Sequence, residues 1–480
     1  MGAAGASGRG FAEGDLILAI DIGGSKFIVG LATPAGEVVR SERYEWAGTT
    51  DDGLDEGLFF GQLCAGIDAL RSAEPGLFAR VTVAGVTVPG FTDPVSGDVL
   101  DTDFLKIKGY PLCAELEKRY KLPFFADNEC KAAALAEQVF GEAHGASILY
   151  VTISTGVGGT HVLDDGVYYG AFGHAGEVGL VIADRHGYAS DQGLPGVLEA
   201  HACGRGLVRN YLAAGGKEAV DGQAVDGRLM ADLARAGYGP AVAALDLEGR
   251  LLARALAPIC SAVDVETVVI GGGMSLAYDT YGPSLEREFS RLCPVEVAFM
   301  PTGLGYLGAF MGAVALALRG HAGELPKPSS PMDHVLEVSL RGNSIVLGAT
   351  LNGRERRLRD GSVPVLDGFL LAEDADDPGE RLGDRFARVL APYGAELDGA
   401  FARVSDEAVL DDLGYSLGRA LAALATVLDP GAIVFSGVLG DSFDLLEPSV
   451  RRALIDETYY RGNLPFAFGA AATLSNNLSL

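Results

Sequence analysis

Two strand–glycine–strand units restrict what this chain can fold into more than any other feature. The first begins with the apolar run 16–20, breaks at Asp21-Ile-Gly-Gly-Ser25 and resumes at 27–32. The second has a strand at 148–154, the glycine turn Thr155-Gly-Val-Gly-Gly159 and a returning strand at 160–163. Each is a buried strand followed by a turn and another strand, which is a hairpin and not a strand-to-helix unit. Two such hairpins in a chain that also carries helical periodicity predict an α/β protein with two lobes of similar plan.

The remaining elements fit that plan. A helix is expected over 58–72, a strand over 81–88 ending in Pro89-Gly90, a short amphipathic segment over 113–120 and a strand over 122–126. That strand leads into Asp127-Asn-Glu129 and an Ala-rich helix over 130–140. Later come a long helix over 247–262, a strand over 267–270, the triple glycine Gly271–Gly273 and a helix over 308–318. Three Pro and two Ser within 326–331 mark a linker.

Beyond the linker the pattern recurs. Leu252-Ala-Arg-Ala-Leu256 returns as Leu417-Gly-Arg-Ala-Leu421, and Asp264 with Val268-Val269 returns as Asp429 with Ile433-Val434, both at an offset of 165. Leu149-Tyr-Val-Thr-Ile153 returns as Leu336-Glu-Val-Ser-Leu340 at an offset of 187. Three matches in one order are the signature of a duplicated second lobe, although α/β chains also reuse similar strands and helices. The later copy lacks the glycine turn, reading Arg341-Gly-Asn-Ser-Ile-Val-Leu347, and has Ser436-Gly-Val438 for the triple glycine. The expected organisation is therefore a tail (1–14), a first lobe (15–126 with a returning helix at 305–322), a second lobe (127–304), a linker (323–332) and a degenerate repeat (333–480).

Composition excludes several classes. With 480 residues the chain has length for about three domains. Its net charge of −27 repels a phosphate backbone, so no nucleic-acid partner is expected. The longest apolar run, 306–318, falls short of the roughly 18 residues a membrane helix needs, and the first residues lack the apolar core of a secretory signal. A cytoplasmic protein is expected. The six Cys form no C-x-x-C pair and are expected to be mostly buried thiols.

Asp21, Gly23, Gly24, Ser25 and Lys26 have the features of a phosphate-binding hairpin: glycines let backbone N–H groups approach anionic oxygens, the Ser25 hydroxyl adds a donor, and Asp21 can hold magnesium through water. The same residues also suit a plain tight turn. Thr155, Gly156, Gly158 and Gly159 repeat the device at the head of the second lobe, and together the two turns point to a nucleoside triphosphate. No G-x-x-x-x-G-K-[ST] sequence occurs, so this is not a Walker loop.

The order of motifs resembles the ROK family (repressor, open reading frame, kinase) of the actin-like sugar kinase superfamily. The matching pieces are Asp21–Lys26, Val88-Pro-Gly-Phe-Thr-Asp93, Asp127–Glu137, Ser154–Gly159, Gly170–Gly179, Leu198-Glu199 and Ile270–Gly273, over residues 15 to about 320. The resemblance implies a two-lobed actin-like (ribonuclease H-like) fold, here with an additional degenerate α/β lobe. It also implies ATP- and Mg2+-dependent phosphorylation of a hexose or amino sugar. Gly271, Gly272 and Gly273 would lie against the adenosine, and Asn128, Glu177 and Glu199 would bond sugar hydroxyls, although both glutamates also read as ordinary solvated carboxylates.

Three departures bear on activity. The family's general base is an Asp directly after the Asn, where this chain has Glu129, longer by one methylene; Asp127 is expected to point elsewhere by strand alternation. The family's sugar- and zinc-binding His is replaced by Leu180. Its C-x-C-G-x-x-G-C cluster keeps Gly193 and Gly196 but has Ser190, Gln192 and Val197 at the Cys positions, so no zinc is expected. His174, His201 and Cys203 read better as packed residues than as a substitute metal site, and the acidic run Glu373, Asp374, Asp376, Asp377 as a solvated loop. The sequence reading is thus a zinc-free sugar kinase with Glu129 as base, or alternatively a sugar-binding pseudokinase. A repressor is disfavoured because only about 15 residues precede the first strand, too few for a helix-turn-helix. The third lobe is expected to dock on the second, giving a monomer with an internal pseudo-dimer.

Overall fold

The structure is a computed structural model and describes residues 10–49, 53–102, 105–143, 147–163, 166–190, 193–325, 329–372, 379–458 and 464–471. The tail up to residue 9, Gln192, the linker prolines Pro326 and Pro328, and the acidic run at 373–377 lie outside the described residues. Contacts divide the chain into two units, the first comprising 1–144, 162–167 and 302–328, the second 145–161, 168–301 and 329–480.

The first unit is built on strands β1 (Leu16–Ile22), β2 (Lys26–Ala32), β3 (Val38–Glu45), β4 (Val81–Val88) and β5 (Phe124–Asn128), in the order β3-β2-β1-β4-β5. The first three are antiparallel neighbours, while β1, β4 and β5 run parallel. β1 is apolar throughout because both its faces are covered. Leu16, Leu18 and Ile20 pack with Phe59, Leu63 and Ile67 of helix α1 (Glu56–Ala73). Ile17 and Ala19 pack on the other side with Ala132, Leu135 and Ala136 of helix α2 (Glu129–Phe140) and with the returning helix Gly308–Ala322. At Gly85 a Cβ would overlap the Ala313 carbonyl, so only glycine lets that helix lie against the sheet.

This packing moves one expected boundary. α2, which carries Glu129 at its first position, was expected to open the second lobe, but its Ala-rich face lies against the returning helix and it belongs to the first unit.

Two further five-stranded sheets follow in the chain. One comprises β6 (Ser147–Ile153), β7 (Val157–Leu163), β8 (Gly166–Val167), β9 (Thr267–Gly271) and β10 (Ala298–Pro301) in the order β8-β7-β6-β9-β10. The other comprises β11 (Val335–Arg341), β12 (Ser344–Leu351), β13 (Arg354–Arg356), β14 (Ala432–Phe435) and β15 (Ala467–Ala470) in the order β13-β12-β11-β14-β15. Order and strand senses match between them, and both repeat the plan of the first sheet. The glycine turn at the head of the second lobe is shorter than expected, because β7 already begins at Val157 and takes Gly158 and Gly159 into the strand.

The helices correspond as well. α3 (Gly239–Val263) packs on α4 (Tyr278–Leu292), and α5 (Glu407–Leu428) packs on α6 (Phe443–Glu457). Residues 165 apart do the same work. Asp264 and Asp429 each end a long helix in the left-handed conformation, at φ 51° and 43°. Pro283 and Pro448 each sit inside the partner helix. Gly249 and Gly414 each leave room for a serine hydroxyl, of Ser284 and Ser449, that a Cβ would displace.

The second and third lobes meet through these corresponding groups. The Asp429 carboxylate accepts from the backbone N–H groups of Phe172 (2.8 Å) and His174 (2.9 Å), and the Asp264 carboxylate accepts from the Arg359 backbone N–H (2.5 Å) and guanidinium (3.1 Å). Phe172 and Arg359 are themselves 187 residues apart. The Tyr168 hydroxyl donates to the Leu428 carbonyl at 2.8 Å, and the Gly176 N–H to the Val427 carbonyl at 2.9 Å. Among the described residues no helix is long and apolar enough to cross a membrane.

Candidate functional site

The candidate residues fall into two groups, one in each unit. In the first unit, Asp21 of β1 lies opposite Thr87 of β4, and Thr87 lies opposite Asp127 of β5, so three polar residues line the carboxyl edge of the parallel strands. This edge is where open α/β sheets bind ligands. The Thr87 hydroxyl donates to Asp21 Oδ1 at 2.8 Å. Burial raises the Asp21 carboxyl above its ordinary value, while the Thr87 hydrogen bond and the Lys26 charge pull it down. A cation beside Asp21 would offset the cost of that burial, so the group suits magnesium.

The hairpin turn beyond Asp21 is pinned from outside. The Gly23 N–H donates to the Lys26 carbonyl (2.8 Å), and the Gly23 carbonyl accepts from the Trp46 indole (2.9 Å). Ser25 and Lys26 have accessible side chains. Sequence reasoning missed both Trp46 and Thr87. The chain's single Trp, placed just after an alternating strand, was the available signal.

β5 ends at Asn128, whose side chain is fully engaged. Its Oδ1 caps α2 by accepting from Cys130 N (2.9 Å) and Lys131 N (3.1 Å), and its amide donates to the Gly90 carbonyl (2.8 Å) and to Glu129 Oε2 (2.9 Å). A sugar hydroxyl can accept from Asn128 only by replacing one of these acceptors. Asp127 is 1% exposed and accepts from the Asn128 N–H, so it is turned into the protein and Glu129 is the carboxylate at the helix start.

In the second unit, four glycines stack the remaining candidates together. A Cβ at Gly176 would overlap the Gly159 carbonyl, one at Gly179 would overlap the Val157 carbonyl, and one at Gly159 would lie 2.7 Å from Val178. The Glu177 loop therefore lies directly on β7. Glu199, on the short helix Leu198–Ala202, accepts from Val157 N at 2.9 Å, and a Cβ at Gly156 would lie 2.6 Å from its Oε2. Glu199 thus braces the glycine turn, a role that sequence reasoning did not assign to it. Gly271 pairs with Thr152 in the parallel register, and Gly272, at φ 73°, sits on Ile153, which places the triple glycine beside the turn at 154–156.

Apolar packing occupies the place of the family's zinc loop. Leu194, Val197 and Ala200 form a small core with Ile182 and Tyr188, and Leu180 is buried. Ser190 closes the loop, its carbonyl accepting from Gly193 N (2.8 Å) and its hydroxyl from Leu194 N (3.3 Å). His201 accepts from Tyr188 N at 3.3 Å, and burial pushes its imidazole below the ordinary value. Among the described residues no group of three or more His, Cys, Asp or Glu is placed to hold a metal ion, and all six Cys are buried free thiols.

Sheets of one repeated plan, the first two headed by glycine turns, are the actin-like fold that solved ROK sugar kinases share with this chain. The chain belongs to the ROK family, whose model matches residues 17–319. It is 33% identical over 264 residues to N-acetylmannosamine kinase of Escherichia coli, covering 54% of this chain and 84% of that protein. The ROK glucokinase of Streptomyces griseus, solved with glucose and AMPPNP, superposes with a TM-score of 0.54 at 25% identity, over 64% of this chain and all of that one. A ROK transcriptional regulator homologous to the Mlc protein of E. coli superposes with a TM-score of 0.60 at 25% identity, over 65% and 80%.

Proposed function

We propose that this protein transfers the γ-phosphoryl group of ATP to a hexose or amino sugar, with Glu129 as general base. The observation that carries this reading is the placement of Glu129 at the start of α2, steered by the Asn128 amide, on the same strand edge that presents Asp21. Glu129 would take the proton of the attacking hydroxyl as its oxygen bonds to the γ-phosphorus and the bond from that phosphorus to the ADP oxygen breaks, releasing ADP. Asp21 would hold magnesium through water, and the turns at 23–26 and 155–159 would direct backbone N–H groups at the phosphates. Magnesium, when bound, neutralises charge on the phosphates. Glu177 and Glu199 would accept from sugar hydroxyls, and Gly271 to Gly273 would lie against the adenosine.

The second reading, a sugar-binding protein with little kinase activity, is favoured by one observation: the Asn128 side chain is saturated within the protein. A panel of hexoses and amino sugars assayed for ATP-dependent phosphorylation distinguishes the two. Turnover of one sugar supports the kinase, and binding by calorimetry without turnover supports the alternative.

The third lobe we read as a degenerate copy of the second that serves as a built-in partner. The exchange of Asp264 and Asp429 contacts is what a two-fold pair would show, since the same patch is used on both members. Its turn at Gly342–Asn343 is a tight hairpin with no glycine run, consistent with a packing role.

A further inference from the structure

The loop that carries Glu177 lies on β7, but several of its backbone N–H groups reach across to the third lobe. Residues 168–177 form no helix or strand and turn at Gly170, Gly173 and Gly176, with φ of 78°, 85° and 104°. Backbone of this kind has no ladder of its own, and its buried N–H groups need acceptors from elsewhere. Ala171 donates to the Asp429 carbonyl (2.7 Å), and Phe172 and His174 donate to the Asp429 carboxylate (2.8 and 2.9 Å). Gly176, directly before Glu177, donates to the Val427 carbonyl (2.9 Å). The Tyr168 hydroxyl adds a bond to the Leu428 carbonyl (2.8 Å).

These acceptors belong to a helix end. Val427 and Leu428 close α5, and the last carbonyls of a helix have no partner inside it. Asp429 caps α5 and is fully buried. Gly170 permits the close approach, since a Cβ there would lie 2.5 Å from the Asp429 Cβ. The arrangement is not matched in reverse. The residue 187 positions after Glu177 is Pro364, so the third lobe has no carboxylate at the corresponding place. Asp264, the counterpart of Asp429, holds Arg359, in a segment that carries none of the proposed sugar ligands. The third lobe thus lacks its own copy of Glu177 and keeps the residue that holds the copy in the second lobe.

We propose that Asp429 is a positioning residue for the sugar site: through the Phe172 and His174 N–H groups it fixes the loop that sets Glu177, so that sugar affinity depends on the docked third lobe. This rests on the reading of Glu177 as a sugar ligand. A loop whose binding form is only partly populated lowers the apparent affinity by that fraction. The third lobe supplies the ordering in advance, and the sugar does not have to. Asp429 acts only through the backbone it holds.

The test uses the full chain and reads two quantities: hydrogen exchange of the 168–177 amides, and binding of the hexose and amino-sugar panel, glucose and glucosamine included, by calorimetry without ATP. Asp429→Gly removes the carboxylate and suits the left-handed φ of 43°. It should speed exchange of the Phe172 and His174 amides and weaken sugar binding, each about tenfold. Asp429→Asn keeps an acceptor oxygen and should restore most of both. Asp264→Gly, also at a left-handed position (φ 51°), breaks the corresponding contact to Arg359 and should leave loop exchange and sugar affinity unchanged, which a general weakening of the lobe contact would not. Tyr168→Phe, which frees the same segment at its start, should weaken sugar binding about threefold and keeps the test open if Asp429→Gly fails to fold. Unchanged sugar affinity in Asp429→Gly, or an equal loss in Asp264→Gly, would overturn the proposal and leave Glu177 as a ligand. Binding of no sugar by the parent protein would overturn the reading of Glu177 and the proposal with it; only this second failure is seen in the unmodified chain.

Discussion

Replacing Glu248 by leucine should stabilise the protein, and increasingly so as pH rises. Glu248 lies in α3 with 0% exposure, and neither carboxyl oxygen has a hydrogen-bond partner among the described residues. Burial pushes its carboxyl well above the ordinary 4.5. The residue 165 positions later is Leu413, fully buried in α5 beside Gly414, as Glu248 sits beside Gly249. The third lobe thus shows that leucine fits this kind of site.

Two contributions set the magnitude. An unpartnered buried polar group costs about 1–3 kcal/mol even when neutral. In addition, a group that titrates higher in the folded state favours folding only while it is protonated in both states. Above pH 4.5 the unfolded chain releases the proton and the folded protein keeps it, so stability falls with rising pH. The slope is at most about 1.4 kcal/mol per pH unit until the folded-state group also ionises. Leucine removes both costs. Urea unfolding of the parent and Glu248→Leu, followed by circular dichroism at pH 5.5 and pH 7.5, should show a gain at both, larger at pH 7.5 by up to about 2.8 kcal/mol. A gain independent of pH, or a loss at both, would refute the reasoning.

Glu129→Gln should lower any phosphoryl transfer by about 10²–10⁴-fold, the usual contribution of a general base, with sugar affinity by calorimetry nearly unchanged. Equal turnover in this variant would place the base elsewhere. Protein purified without added metal should contain no stoichiometric zinc by elemental analysis, since apolar packing of Leu194, Val197 and Ile182 occupies the loop. Full-length protein should sediment as a monomer at micromolar concentration, and a stable homodimer would show that the third lobe does not replace a partner. Asp429→Ala should lower the unfolding free energy by about 1–3 kcal/mol by stripping the Phe172 and His174 N–H groups of their acceptor.

Much of this protein is written in local sequence. Residues 16–32 and 148–163 read as hairpins because apolar periodicity and glycine placement act over a few residues, and the structure has β1–β2 and β6–β7 there. The helix expected over 247–262 appears as Gly239–Val263, beginning two turns earlier with Pro240 in its first turn. The residue types of the candidate site, glycine turns with a carboxylate near each, were also visible in the sequence, although the same residues suit plain tight turns. What surrounds each group was not. That Trp46 pins Gly23, that Asn128 spends its whole side chain on Gly90, Glu129 and the α2 cap, and that Glu199 braces Val157 all depend on contacts between residues distant in the chain. The assignment of α2 to the first unit rests on the Ala-rich face meeting the returning helix, which no local pattern encodes. The likeness of 252–256 to 417–421 could be read from spacing, but only the packing of α3 and α5 turned Arg254 and Arg419 onto one cavity, because which face of a helix is buried depends on its partner.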